Sequence, residues 1–161
     1  MILSMRSLFL IISFFFSSLA IFGQSENAIN SIIEESLINY FNIRDSIQTH
    51  IGMTKNPERY VCMEGLPLGY DYNTNNLMKF HDGSYYAIKK LKKQNERGIN
   101  SASVFFNFQN ECFVVSIANR FISYKNRHEC LIATSYSVQF KYKYDSKTNS
   151  WKCISHTVTA L

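Results

Sequence analysis

The sequence carries almost none of the motifs by which a short chain declares a chemistry. Its four cysteines include no C-x-x-C pair, and its four histidines show no H-x-x-x-H spacing. A glycine-rich phosphate loop and a G-x-S-x-G elbow are likewise missing. These absences argue against structural zinc, thioredoxin-like exchange and serine-hydrolase chemistry, so no metal or cofactor is expected. No repeat or low-complexity tract appears. Acidic residues are the scarcer charge, with 12 Asp and Glu against 17 Lys and Arg, a net of +5. That mild excess does not point to nucleic acid as a partner.

There is one long apolar run, and it opens the chain. Met1 to Arg6 is a short start with a single positive charge, and Leu8 to Ala20 (LFLIISFFFSSLA) is almost wholly apolar. Ser18-Leu19-Ala20 or Ile21-Phe22-Gly23 supplies a small-residue cleavage site. The run is short for a bilayer, so residues 1–23 read as a secretory signal peptide and 24–161 as one domain. No cysteine lies at either cleavage site, which disfavours a lipid anchor. The expected product is exported, periplasmic or secreted, with no membrane-spanning segment after cleavage. In such a compartment Cys62, Cys112, Cys130 and Cys153 are candidates for disulfides.

Ser25 to Ile47 is expected to be an amphipathic helix, because Ile29, Ile32, Ile33, Leu37, Tyr40 and Phe41 recur at three- and four-residue spacing. Tyr60 to Met63 reads as a short strand, and Gly65 to Gly69 breaks regular structure. Asp82-Gly83 between two apolar stretches predicts a tight hairpin with Phe80 opposite Tyr85. Lys92 to Asn100 is a polar connection, Ala102 to Phe108 the next strand, and Gln109-Asn110-Glu111 a turn. Cys112 to Tyr124 is apolar on both faces, which marks a central or interface strand.

From Leu131 to Val158 the signal is clearest. Ile132, Thr134, Tyr136, Val138, Phe140, Tyr142 and Tyr144 alternate with smaller or polar residues. That is the period of a half-buried strand. Asp145 to Ser150 supplies turn formers, and Trp151 to Ile154 returns. The fold class is therefore α+β: an N-terminal amphipathic helix packed on a curved antiparallel sheet that ends in a long hairpin. A turn centred on Lys125-Asn126 places Cys130 opposite Phe121, and the last hairpin places Cys153 opposite Tyr142. In that register Cys112, Cys130 and Cys153 are too far apart to join, so any bridge involves Cys62.

The polar residues offer little chemistry. His128 and Cys130 share a strand face but sit roughly 6.5–7 Å apart. They read as a histidine at a strand start and a buried cysteine. Glu58, Glu64, Asp71 and Asp82 lie where they could roof a cavity, and spacing does not choose among them. Lys89-Lys90-Leu91-Lys92-Lys93 reads as a solvated end, with an anionic surface as the sharper alternative. The aromatic load is more informative: Tyr60, Tyr70, Tyr72, Tyr85, Tyr86, Phe105, Phe106, Tyr136, Phe140, Tyr142, Tyr144 and Trp151 concentrate in the strands and adjoining loops.

The helix followed by a meander ending in Tyr142-Lys143-Tyr144-Asp145 and Asn149-Ser150-Trp151-Lys152 resembles the NTF2-like (cystatin-like) superfamily of small exported bacterial proteins. The resemblance implies a bent sheet wrapped around a helix as a cone, a cavity that holds a ligand or is filled by side chains, and dimerisation through the sheet. No residue matches a catalytic motif of that superfamily. The expected function is non-enzymatic binding of a protein or a small apolar ligand, through Tyr136, Phe140, Tyr142, Tyr144 and Trp151. The alternatives are an NTF2-like enzyme with an acid–base carboxylate in the cone, and a periplasmic immunity or inhibitor protein.

Overall fold

The helix, the four-strand meander and the terminal hairpin are all present, but the sheet is mixed rather than antiparallel. The computed structural model describes residues 5–53, 57–67, 70, 77–92 and 97–160, with side chains from Asn27 onward. The side chains of the expected signal peptide, Asp71, Tyr72, the rest of the loop to Asn76, and Lys93 lie outside the described residues.

The first helix, α1, spans Met5–His50, longer at both ends than its periodicity requires. Strands β1 (Tyr60–Cys62) and β2 (Lys79–His81) follow, then the short helix α2 (Tyr85–Leu91). The meander comprises β3 (Gly98–Gln109), β4 (Cys112–Tyr124), β5 (Cys130–Asp145) and β6 (Ser150–Ala160). The strand order is β2-β1-β3-β4-β5-β6, an open sheet. β1 runs parallel to both of its neighbours, and only the meander is antiparallel. β4 is internal, as its two apolar faces require.

The Asp82-Gly83 hairpin does not form. A type I′ turn needs positive φ at both central residues, and here only Gly83 has it, at +75°. Asp82 instead folds onto its own backbone, Oδ1 accepting the Ser84 N–H at 2.9 Å. Ser84 Oγ then accepts the Ala87 N–H at 3.3 Å and caps α2. Two strong N-terminal helix signals outweigh one turn dipeptide. The type I′ turn lies elsewhere, at Asn110 (φ 49°) and Glu111 (φ 61°) between β3 and β4.

Register assigns each helix its own sheet face. Val115 and Ile117 with Val138, Phe140 and Tyr142 form one core with Ile33, Leu37, Tyr40 and Phe41 of α1. On the other face Tyr60, Ile99 and Ile122 form a smaller core with Ile88 of α2. Gly65 sits at φ +92° against β3, where a Cβ would come within 2.3 Å of the Val104 carbonyl oxygen.

Two bulges break the alternation that the sequence displays. Asn119 pairs with Tyr136 and Arg120 with Thr134, so Ser135 is an extra residue. The expected single face from Ile132 to Tyr144 is therefore wrong: Ile132 and Thr134 turn to the opposite side from Tyr136, Val138, Phe140 and Tyr142. Ile154 is extra in the same way between β5 and β6. The β4–β5 loop is longer than expected, and Cys130 stands opposite Tyr124, not Phe121. Asn126 Oδ1 fixes that loop by accepting the N–H groups of His128 and Glu129, at 2.8 and 3.0 Å. Cys153 does face Tyr142. All four cysteines are free thiols, and Cys130 is exposed rather than buried.

Candidate functional site

The five aromatic residues expected to hold a ligand divide into two groups. Phe140 and Tyr142 are buried in the main core, and Tyr136 is half-buried, its ring stacked on Tyr40 at 6.2 Å between centroids. These three are core residues, because the Ser135 bulge turns exactly this part of β5 toward α1. Burial pushes the Tyr142 hydroxyl up to about 12. Burial likewise holds the Tyr40 hydroxyl protonated far above its ordinary value. The space between α1 and the sheet is thus filled by side chains. Among the described residues no Asp or Glu is buried in it.

The candidate acids are engaged elsewhere. Glu58 Oε2 accepts from Lys79 Nζ at 2.6 Å. The Ser84 backbone N–H holds the Asp82 carboxyl below its usual range, and Glu64 is exposed. His81 is buried, with Nδ1 accepting the Gly83 N–H at 3.0 Å and Nε2 lying 2.8 Å from Ser101 Oγ. Burial lowers its pKa and raises that of the neighbouring Cys62 thiol. Both groups are therefore held neutral, the opposite of an activated thiolate–imidazolium pair.

Tyr144 and Trp151 are different. They face each other across the last hairpin, rings edge-to-face at 5.4 Å, and both line a groove of about 480 Å³ against α1. Ala28, Ser31, Ile32 and Glu35 of α1 form the opposite wall. The turn is firmly built. Asp145 accepts from the Lys147 N–H at 2.9 Å and from Lys152 Nζ at 2.7 Å. The Lys152 contact, then that N–H, pulls the Asp145 carboxyl down to about 2. The Tyr144 hydroxyl donates to Asn149 Oδ1 across the turn, so the ring at the groove mouth is held in place.

Beyond Trp151 the aromatic surface continues. Trp151 meets Phe108 edge-on at 5.8 Å, Phe108 meets Phe113 at 5.3 Å, and Phe113 meets Phe106 at 5.7 Å. Phe108 is 65 % exposed, Tyr144 45 % and Phe106 40 %. Phe108 and Glu35 were not among the expected ligand contacts. The signal for Phe108 was present, since Phe106 and Phe108 alternate in Ala102–Phe108 and so share a face. Glu35 had none, because an acid on the polar side of a helix reads as solvated. Among the described residues no helix is long and apolar enough to cross a membrane. No protein-family model, curated protein or solved structure matches the chain.

Proposed function

We propose that this is an exported, non-enzymatic binding domain whose ligand lies in the groove between α1 and the β5–β6 turn. The reading is carried by one observation: a chain of touching aromatic rings, partly exposed, that ends in the groove. Rings left in water forgo a large hydrophobic gain, roughly 25 cal/mol for each Å² left uncovered, so a surface of this kind favours an apolar partner. Tyr144 and Trp151 offer apolar area with polar tips, which suits an interface. Glu35 on the helix wall favours a ligand with a positively charged end. The partner is a small apolar molecule or an apolar protein segment.

The same reading includes a curved sheet wrapped on α1, of NTF2-like type. Its support is the order of elements, long helix before meander, and the two bulges at Ser135 and Ile154, which increase strand bending. A filled interior moves the binding surface from the inside of a cone to its rim.

Trp151 is the only tryptophan, so its fluorescence reports directly on the groove. Titration with an apolar amine such as dodecylamine, below its micelle concentration, is expected to shift Trp151 emission. Tyr144→Ala is expected to weaken that binding by on the order of tenfold, the loss of one aromatic contact. An emission unchanged at saturating probe, or binding undiminished in Tyr144→Ala, sinks the groove as the site.

A further inference from the structure

On the opposite sheet face, where α2 meets the β4–β5 loop, lies a second concavity with a different chemistry. Its wide part, about 540 Å³, is lined by Lys92, Arg97, Tyr124 and Lys125. A narrower recess of about 120 Å³ shares those four residues and adds Lys89 and Tyr85. The two adjoin through these shared residues and are treated as one cleft.

Its cations come from three separate places in the fold. Lys89 lies in the last turn of α2, and Lys92 is its C-cap residue. Arg97 precedes β3, its carbonyl fixed by a 2.6 Å hydrogen bond from Ser123 Oγ of β4. Lys125 follows β4. A run of lysines on one surface helix is an ordinary solvated end. Four cations brought from three elements to one cleft is a different arrangement, because their mutual repulsion is unfavourable until an anion offsets it.

Among the described residues the acid lining the cleft is Glu129, 3.2 Å from Lys125, which leaves Lys89, Lys92 and Arg97 in excess. The cleft also has an apolar wall. Tyr85 and Tyr124 meet edge-on at 5.7 Å, and the Tyr124 hydroxyl donates to the Gly83 carbonyl at 2.8 Å. Such a wall limits water around a bound anion and strengthens its attraction to the cations. A guanidinium beside ammonium groups matches the oxygens of a phosphate, which can meet the Arg fork in a bidentate manner.

We propose that this cleft binds a phosphate group, with Arg97 and Lys92 meeting its oxygens and Lys89 and Lys125 supplying the surrounding positive field. The phosphate is either that of a soluble phosphate compound or that of an anionic lipid headgroup. Leu131 at the mouth is exposed and placed to touch a membrane surface in the second case.

The test uses the full chain and two kinds of probe. Inorganic phosphate and pyrophosphate are titrated calorimetrically, and co-sedimentation compares phosphatidylglycerol with phosphatidylcholine vesicles. The wild type is expected to bind a soluble probe or to prefer phosphatidylglycerol. The first result alone assigns a soluble ligand, and the second alone assigns the headgroup. Lys92→Gln with Arg97→Gln is expected to weaken the interaction by on the order of tenfold. Both residues are exposed, and Lys89→Gln with Lys125→Gln is a second variant that must show the same loss. Lys141→Gln with Lys143→Gln removes equal charge on β5 and is expected to change binding by less than about twofold. The proposal is overturned by a wild type that binds neither probe, by cleft variants that bind as well as wild type, or by an equal loss in the β5 control.

Discussion

The side chains of Ser36 and Tyr142 meet at 2.9 Å in the middle of the main core, joining α1 to β5. Ser36 has one hydroxyl proton, and it is donated to the Ile32 carbonyl at 2.8 Å. The shared bond is therefore donated by Tyr142. Tyr142→Phe keeps the ring and removes only that donor, with an expected loss of about 1 kcal/mol. Tyr142→Ala also empties the volume of a buried ring, and about 4 kcal/mol is expected. Urea unfolding of the two variants measures the difference; equal losses would show that packing around the ring is not what the site contributes.

Ser84 decides between helix and hairpin after β2. Ser84→Ala removes the cap on the Ala87 N–H and is expected to cost about 1 kcal/mol. Ser84→Asp, which can accept the same hydrogen bond, is expected to retain most of the stability. Amide exchange across Tyr85–Leu91 is the direct readout, rising in the alanine variant and not in the aspartate one.

His81 makes the fold sensitive to mild acid. Its pKa is lowered by burial from an ordinary 6.5, and Nδ1 already accepts the Gly83 N–H. The unfolded chain therefore takes up the proton more readily than the folded one. The contribution is complete above about pH 6.5 and is lost as the pH falls below it toward the folded value. Melting temperature measured between pH 7.5 and 5 is expected to decline, with a shallower decline in His81→Gln. The lowered carboxyls of Asp82 and Asp145 act in a separate window, below their ordinary 3.8. A wild type and a His81→Gln variant with parallel profiles would remove His81 from this role.

Arg44 ties the end of α1 to the segment entering β1. It is 4 % exposed, donates to Asp45 Oδ1 at 3.0 and 2.8 Å and to the Glu58 carbonyl at 3.0 Å, and lies over the Phe41 ring at 4.8 Å. Arg44→Ala removes its donors to the Glu58 carbonyl and to Asp45, while Asp45 keeps Arg59 at 3.6 Å. An expected loss of about 3 kcal/mol follows from breaking a buried, hydrogen-bonded charge. Arg44→Lys loses the planar fork and is expected to recover less than half of it. Thermal denaturation of both variants checks the ranking.

The elements that sequence revealed are those with strong local periodicity. The stripe from Ile29 to Phe41 and the strand Cys112–Tyr124 stand where alternation and helical spacing put them. What periodicity hid were events of one residue. Ser135 and Ile154 look like ordinary strand residues, and only pairing with a neighbour shows them to be extra. The first of these reversed the facing of Ile132 and Thr134 and moved the expected ligand face into the core. The parallel pairing of β1 was also invisible, because three residues carry no direction. At the candidate site Tyr144 and Trp151 were legible as paired aromatics. Glu35 and Phe108 join them only through tertiary contact.

The placement of α1 against β4 and β5 also fixes when the chain can fold. The apolar stripe of the helix is synthesised early, while Tyr142, the partner of Ser36, lies 106 residues later. β1 must wait as well, since β3, which it joins in parallel, begins at Gly98. Neither the helix nor the short strands can be buried until the meander exists, and the meander occupies the last part of the described chain. Contacts so distant in sequence form slowly. Until the meander is present, the apolar stripe of α1 and the short strand β1 therefore lack the partners that bury them.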